Sequence, residues 1–360
     1  MDLSTNFSPA QVSAPGTIRV LLVDDSATVR RIFSMTLERE EGIEVSGQAG
    51  SAEEALQMLR TLHVNVILLD LEMPGMGGMA ALPQMVELCP NAKVIVVSTL
   101  TADGAEHSVE AMANGAADTL LKPQPGEFNE EYRETLVGRV RALGRRKLRR
   151  DADQPAAPAI ITRPASPHRA AIVAIGASTG GIGAIGSLLA ALPDGLGVPI
   201  LVTQHLPESF VEAFVRQLGQ IGERKAVIAE KGMKLEADRI HVAPGNAHMI
   251  VQGKATDAVI GLDSSIVESG CLPAVDPMFS SIAEVYGKRA LGIVLTGMGR
   301  DGTLGACDIA DAGGTVLVQN EASSAVWGMP GSVAKRGLAS AVLHPSDLAA
   351  RIMSCTAKNG

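Results

Sequence analysis

The stretch AIVAIGASTGG at 171–181 follows Ala170 with a wholly apolar run, rich in β-branched side chains, that ends at Gly176. A Gly-rich bend comes next, then the helix-like GIGAIGSLLAAL at 181–192. This order reads as a buried parallel strand whose carboxyl end opens into a crevice where the next helix begins. Inside the bend, Gly176, Ser178 and Gly180 spell Gly-x-Ser-x-Gly. Small neighbours let the backbone turn sharply and hold the serine hydroxyl at the top of a sheet, near amides at a helix N-terminus. That position suits a nucleophile.

A serine nucleophile needs a base and a group to orient it. His205 ends the next apolar run, VPILVTQH, and Asp301 follows the buried run ALGIVLTG across the turn MGRDG. Three strand ends thus offer a serine, a histidine and an aspartate to one crevice. Their chain order, Ser–His–Asp, differs from that of α/β-hydrolases, so the triad is expected to be convergent. Each residue also has a plainer reading. Gly-x-Ser-x-Gly alone is a weak pattern, His241 and His248 compete with His205, and Asp301 could simply cap the helix that follows it. Gly181, Gly183 and Gly186 match Gly-x-Gly-x-x-Gly, but the following strand ends Thr203-Gln204-His205 without the acid that a dinucleotide fold needs.

Upstream, five apolar runs alternate with amphipathic segments: IRVLLVDD, IEVSGQA, VNVILLD, AKVIVVS and ADTLLKP. They predict a second doubly wound parallel sheet, so the fold class is α/β with two such domains. Asp24 and Asp25 close the first run, Asp70 the third, Ser98 the fourth and Lys122 the fifth. Strand ends of such a sheet converge. Gathered carboxylates repel one another and favour a hard dication such as Mg²⁺, while a lysine and a hydroxyl can hold phosphoryl oxygens. These are the parts of a transient aspartyl phosphate.

The 360 residues fit two domains, and 46% apolar residues with 2% aromatics mean cores built from aliphatic side chains and methionine. A net charge of −8 argues against binding nucleic acid through bulk positive charge. Four cysteines stand far apart without C-x-x-C spacing, which points to a reducing compartment and to neither a zinc site nor a disulfide framework. No signal peptide and no membrane span are read. The expected organisation is a disordered tail at 1–16, one domain at 17–125, a basic helix end and Pro/Ala-rich linker at 126–169, and a second domain at 170–356. The last helix is expected to run from 126 to 150, and a small antiparallel excursion is expected between 225 and 262. A receiver joined to a non-catalytic binding module, or a DNA-binding regulator using the basic run, are the competing readings; the second lacks a helix-turn-helix pattern.

Residues 18 to about 124 resemble a response-regulator receiver domain, flavodoxin-like in fold. GASTGG (176–181), QH (204–205), APG (243–245), AVDPMF (274–279), TGMGRDG (296–302) and QNEASSAVWGMP (319–330) resemble the catalytic domain of the chemotaxis protein-glutamate methylesterases, Rossmann-like in fold. The first resemblance implies that Asp70 is the phosphoacceptor. Asp24, Asp25, Asp70 and the main-chain carbonyl of Glu72 would hold Mg²⁺, Ser98 and Lys122 would contact the phosphoryl group, and the Lys122–Pro123 bond would be cis. Thr119 departs from the pattern, standing where many receivers carry an aromatic switch residue. The second resemblance implies Ser178 as nucleophile, His205 as base and Asp301 as its orienter, with main-chain amides at Thr179 and Met298 forming the oxyanion hole. Together they imply a serine esterase that removes glutamate methyl esters from chemoreceptors, also deamidates receptor glutamines, and is inhibited by its receiver until Asp70 is phosphorylated. The implied partners are methyl-accepting chemoreceptors and a sensor histidine kinase, for a cytoplasmic monomer without nucleic acid, membrane insertion or a cofactor for hydrolysis.

Overall fold

The computed structural model describes residues 16–99, 101–123, 128–145 and 160–357. The N-terminal part alternates β1 (Ile18–Val23), α1 (Ala27–Leu37), β2 (Ile43–Ala49), α2 (Ala52–Leu59), β3 (Val66–Asp70), α3 (Gly77–Leu88), β4 (Lys93–Ser98), α4 (Ala102–Ala113), β5 (Asp118–Leu121) and α5 (Glu130–Gly144). Its strands are all parallel, in the order β2-β1-β3-β4-β5, the flavodoxin-like arrangement. β3 is buried along its whole length, as expected for a central strand covered by helices on both faces.

The C-terminal part contains β6 (Ile172–Ala177), α6 (Gly181–Ala190), β7 (Ile200–Gln204), α7 (Glu208–Leu218), β8 (Ala226–Ile228), β9 (Ile240–Val242), β10 (His248–Gln252) and β11 (Val259–Asp263). It continues through α8 (Val275–Tyr286), β12 (Ala290–Val294), α9 (Thr303–Asp311), β13 (Thr315–Gln319), α10 (Met329–Lys335), β14 (Ala341–Leu343) and α11 (Pro345–Thr356). A parallel sheet runs β14-β13-β12-β6-β7-β9-β8. Growth proceeds from β6 through β7 on one side and from β12 outward on the other. The crevice between β6 and β12 is therefore the topological switch point, where α/β sheets place their ligands.

Four expectations change. The antiparallel excursion is the β10–β11 pair, with one antiparallel bridge from Lys234 to Val259; β8 and β9 join the main sheet in parallel. The last N-terminal helix spans Glu130–Gly144, shorter than 126–150. Its Arg139 and Arg141 are tied to Asp118 and Glu40, while Arg146, Lys147, Arg149, Arg150 and residues 151–159 of the linker lie outside the described residues, as does the tail at 1–15. The Lys122–Pro123 bond is trans: among the described residues, Leu272–Pro273 is the cis bond. Asp301 does not cap α9, whose first turn is preceded by Gly302 at φ 81°.

The two parts share an apolar core. Val109 and Met112 of α4 fall in one continuous cluster with Ile182 and Ile185 of α6 and Phe210 and Phe214 of α7. α4 packs against both α6 and α7, and Arg216 lies 3.6 Å from Glu106 across the same seam. Fully burying one such Phe stabilises by about 1.5–3 kcal/mol, so a seam built this way holds without needing its exposed ion pair.

Candidate active site and acidic pocket

Ser178 and His205 leave neighbouring strands at the same level. Ala177 pairs with Gln204 in the β6–β7 register, and the His205 amide donates to the Ala177 carbonyl at 3.1 Å. The Ser178 amide donates to the Thr296 carbonyl beyond β12 at 3.0 Å, and the Gly181 amide closes the turn onto the Ser178 carbonyl at 2.7 Å. Two glycines make this turn possible. Gly180 sits at φ 78°, and a Cβ there would also lie 2.6 Å from the Ala325 methyl. At Gly297 a Cβ would approach the Ser178 Cβ to 2.8 Å. The Thr179 and Met298 amides have no protein acceptor among the described residues, so both remain available as donors beside Ser178.

His205 Nε2 and Asp301 Oδ2 are 2.7 Å apart. Asp301 is buried, and its carboxylate accepts from the Val275 amide at 2.7 Å, the Asp276 amide at 3.1 Å and the Gly302 amide at 2.9 Å. Two of these donors are the first amides of α8, so Asp301 caps a helix that precedes it in the chain. Burial alone would raise its pKa, but the hydrogen bond from His205 and those amides hold it below the ordinary carboxylate value. For His205, burial opposes protonation, yet the Asp301 hydrogen bond, followed by contact with Cys271, pushes its pKa above that of an ordinary imidazole. Asp276 is raised to about 6 by burial, against the hydrogen bond it accepts from the Gly305 amide.

The competing histidines are accounted for. His248 accepts from the Ala274 amide through Nδ1 at 2.9 Å and bonds the Ser265 carbonyl through Nε2 at 2.9 Å, which pins the loop before α8. His241 lies inside β9 with both ring nitrogens unpartnered, and burial pushes its pKa down to about 4. Neither reaches Ser178's crevice.

The second cluster forms at the strand ends of the N-terminal sheet. Asp24, Asp25 and Asp70 bring carboxylate oxygens within 4.8 Å of one another. Asp70 is fully buried, and Lys122 Nζ lies 2.5 Å from its Oδ2 and 3.5 Å from Asp24 Oδ2. Asp24 Oδ2 is buried and accepts no hydrogen bond, and the three carboxylates beside Lys122 are the oxygen donors that suit a hard cation. Burial, opposed by the hydrogen bond from Lys122, raises Asp70 to about 6, and burial also raises Asp24. The Glu72 amide donates to Asp70 Oδ1 at 3.0 Å. Ser98 is buried and accepts at 2.7 Å from Ser108 of α4.

One contact links the clusters. Thr179, next to Ser178, donates through Oγ1 to Asp118 Oδ2 at 2.8 Å, and Asp118 Oδ1 accepts from Arg139 at 3.1 Å. Arg139 also donates to the carbonyl of Thr119. Ala325 and Val326, beside the crevice, pack against the core of the N-terminal sheet.

The family model described as CheB methylesterase matches residues 173–352, and that described as response regulator receiver domain matches residues 20–132. The protein-glutamate methylesterase/protein-glutamine glutaminase 1 of Paramagnetospirillum magneticum is 40% identical over 96% of this chain and 98% of its own. The chain belongs to the CheB methylesterase family. The protein-glutamate methylesterase/protein-glutamine glutaminase 2 of Caulobacter vibrioides is 40% identical over 94% of this chain and 98% of its own. The crystal structure of the Thermotoga maritima CheB methylesterase catalytic domain matches at a TM-score of 0.50 and 32% identity, covering 51% of this chain and 98% of that one. Among the described residues, no helix is long and apolar enough to cross a membrane.

Sequence reading singles out Ser178, His205, Asp301 and the acidic residues, of which the structure brings His205 to Asp301 and Asp24, Asp25 and Asp70 together; it gives no role to Asp118, Cys271 or Asp276. Asp118 carried a usable signal, since an acid inside the otherwise apolar ADTLLKP run asks for a partner. Cys271 carried none, because its neighbours come from loops distant in sequence.

Proposed function

We propose that this CheB methylesterase family member hydrolyses γ-glutamyl methyl esters on chemoreceptors, deamidates receptor glutamines at the same site, and is switched on by phosphorylation of Asp70. The observation that carries the reading is the buried His205–Asp301 hydrogen bond at the switch-point crevice, one register step from Ser178. Ser178 Oγ attacks the ester carbonyl while neutral His205 takes its proton, and Asp301 holds the tautomer and stabilises the imidazolium. The Thr179 and Met298 amides receive the oxyanion. His205 then gives the proton to departing methanol, or ammonia from glutamine, and water hydrolyses the acyl-serine by the same steps reversed. Methanol released from methylated receptor is the assay; a chain that releases none contradicts the reading.

In the acidic pocket Asp24, Asp25 and Asp70 would hold Mg²⁺ together with the Glu72 carbonyl. When bound, the ion neutralises the carboxylates and the incoming phosphoryl oxygens. Lys122 and Ser98 are placed to contact that phosphoryl group. Because the folded-state pKa of Asp70 is raised to about 6, its proton favours the folded state at low pH, and that contribution is lost as pH rises through 6. Mg²⁺ competes with the same proton. Its affinity is expected to be about ten-fold weaker at pH 5 than at pH 7, read by calorimetric titration; equal affinities would contradict the assignment.

Receiver inhibition is supported by the seam itself. The Asp118–Thr179 hydrogen bond reaches the residue that follows the nucleophile, and α4 lies across α6 and α7. Ser98, which would donate to the phosphoryl group, also accepts from Ser108 of α4, so a shift of Ser98 on phosphorylation would pass to the helix that makes the seam. Removing one such hydrogen bond shifts a docking equilibrium by about 1 kcal/mol, or about five-fold. Asp118→Ala is therefore expected to raise methanol release by the unphosphorylated full chain several-fold. Unchanged or reduced release would show that this contact does not restrain the site. The chain is further proposed to work as a cytoplasmic monomer, with a sensor histidine kinase as phosphodonor and without nucleic acid, membrane insertion or a cofactor for hydrolysis.

A further inference from the structure

Cys271 stands in the loop between β11 and α8, half-buried, and its sulfur lies within 4.8 Å of a ring nitrogen of His205. The thiol also lies 3.7 Å from the Ser269 carbonyl. One donor atom each from Cys271, His205 and Asp301 falls within a 4.8 Å cluster. The esterase mechanism uses the histidine and the aspartate but has no task for the sulfur. A thiolate, an imidazole and a carboxylate with an open fourth position form a ligand set suited to Zn²⁺ and poorly suited to Mg²⁺ or Ca²⁺.

We propose that the catalytic crevice is also an inhibitory site for Zn²⁺ or a similar thiophilic dication, held by Cys271, His205 and Asp301. Tetrahedral zinc, with bonds of about 2.0–2.3 Å, sets its ligand atoms roughly 3.3–3.7 Å apart, so from within 4.8 Å Cys271 moves in by at most roughly an ångström, and from 2.7 Å the His205–Asp301 pair parts by roughly half that. The loop carrying Cys271 has no helix or strand between Asp263 and Val275 to resist the first movement. The metal replaces the hydrogen that His205 and Asp301 share. On binding, the Cys271 thiol loses its proton to water, and the neutral imidazole keeps one proton on the nitrogen the metal does not hold. No imidazole lone pair then remains for Ser178, so the base is blocked without oxidation or covalent change. The Val275, Asp276 and Gly302 amides already fix the Asp301 carboxylate and would orient it toward a bound metal.

The inhibition rests on the esterase reading, but metal binding can be read apart from it. Full-length chain titrated with Co²⁺ is expected to show a near-ultraviolet thiolate-to-cobalt charge-transfer band, which an all-oxygen receiver site cannot give. The band should disappear in Cys271→Ser and Cys271→Ala and persist in Cys89→Ser, Cys307→Ser and Cys355→Ser. In parallel, Zn²⁺ should suppress methanol release by wild type, reversibly with a chelator. Each variant is compared with itself with and without metal, and the half-inhibiting concentration in Cys271→Ser should rise about ten-fold or more. No thiolate band in folded wild type, a band that survives both Cys271 exchanges, or equal half-inhibiting concentrations would overturn the proposal. A thiolate band in a chain that releases no methanol would uphold the metal site and overturn the esterase reading instead.

Discussion

Ser178→Ala is expected to lower methanol release by about 10⁶-fold, the loss that follows removal of a nucleophile whose base and orienter remain in place. The exchange removes only an oxygen from a half-buried side chain in a turn held by backbone bonds from Ser178, Gly181 and His205. The melting temperature should therefore stay where it is in wild type. A second removal, His205→Ala in the Ser178→Ala background, should cost almost nothing more, because the two residues act as one unit. Substantial residual release by Ser178→Ala would contradict covalent catalysis at this position and leave hydrolysis to a water that His205 activates directly.

Asp301→Asn is expected to lower the plateau rate by about 10⁴-fold, the cost seen when a triad carboxylate is exchanged for an amide. The geometry explains why the amide fails. Every donor that Asp301 meets, from His205, Val275, Asp276 and Gly302, is an N–H group, so an NH₂ in either orientation faces another donor. The pH profile supplies an independent sign. On the proposed mechanism His205 works as a neutral base, so the rate rises with pH as the imidazolium loses its proton. Burial opposes that charge, and the hydrogen bond to Asp301 is the largest influence raising its pKa. Loss of the carboxylate should therefore move the rising limb to lower pH even as the plateau falls. A limb that stays in place, or moves to higher pH, would mean that Asp301 does not hold the catalytic base.

The sequence announced the site because its residues terminate continuous apolar runs. A strand buried on both faces reads as unbroken aliphatics, and polar residues at its carboxyl end stand out; Ser178, His205, Asp70 and Ser98 were all visible in this way. Asp301 was visible for a different reason than its structural role, since the residue it caps is not the helix ahead but α8, brought round by tertiary packing. The pairing of β8 and β9 was not legible. Three-residue strands carry no local mark of parallel or antiparallel direction, and only the neighbouring β7 decides it. Asp118 escaped because its partner, Thr179, belongs to the other half of the chain. Cysteine spacing detects metal ligands close in sequence and not a thiol placed beside His205 by a long loop.

The most direct measurement of the central claim is methanol release from methylated chemoreceptor by the full chain, with and without a small phosphodonor and Mg²⁺, in wild type and Asp70→Ala. The account predicts that release rises with the phosphodonor in wild type and that Asp70→Ala keeps its basal release without any rise. Equal release with and without phosphodonor in wild type, or stimulation that survives in Asp70→Ala, would contradict it.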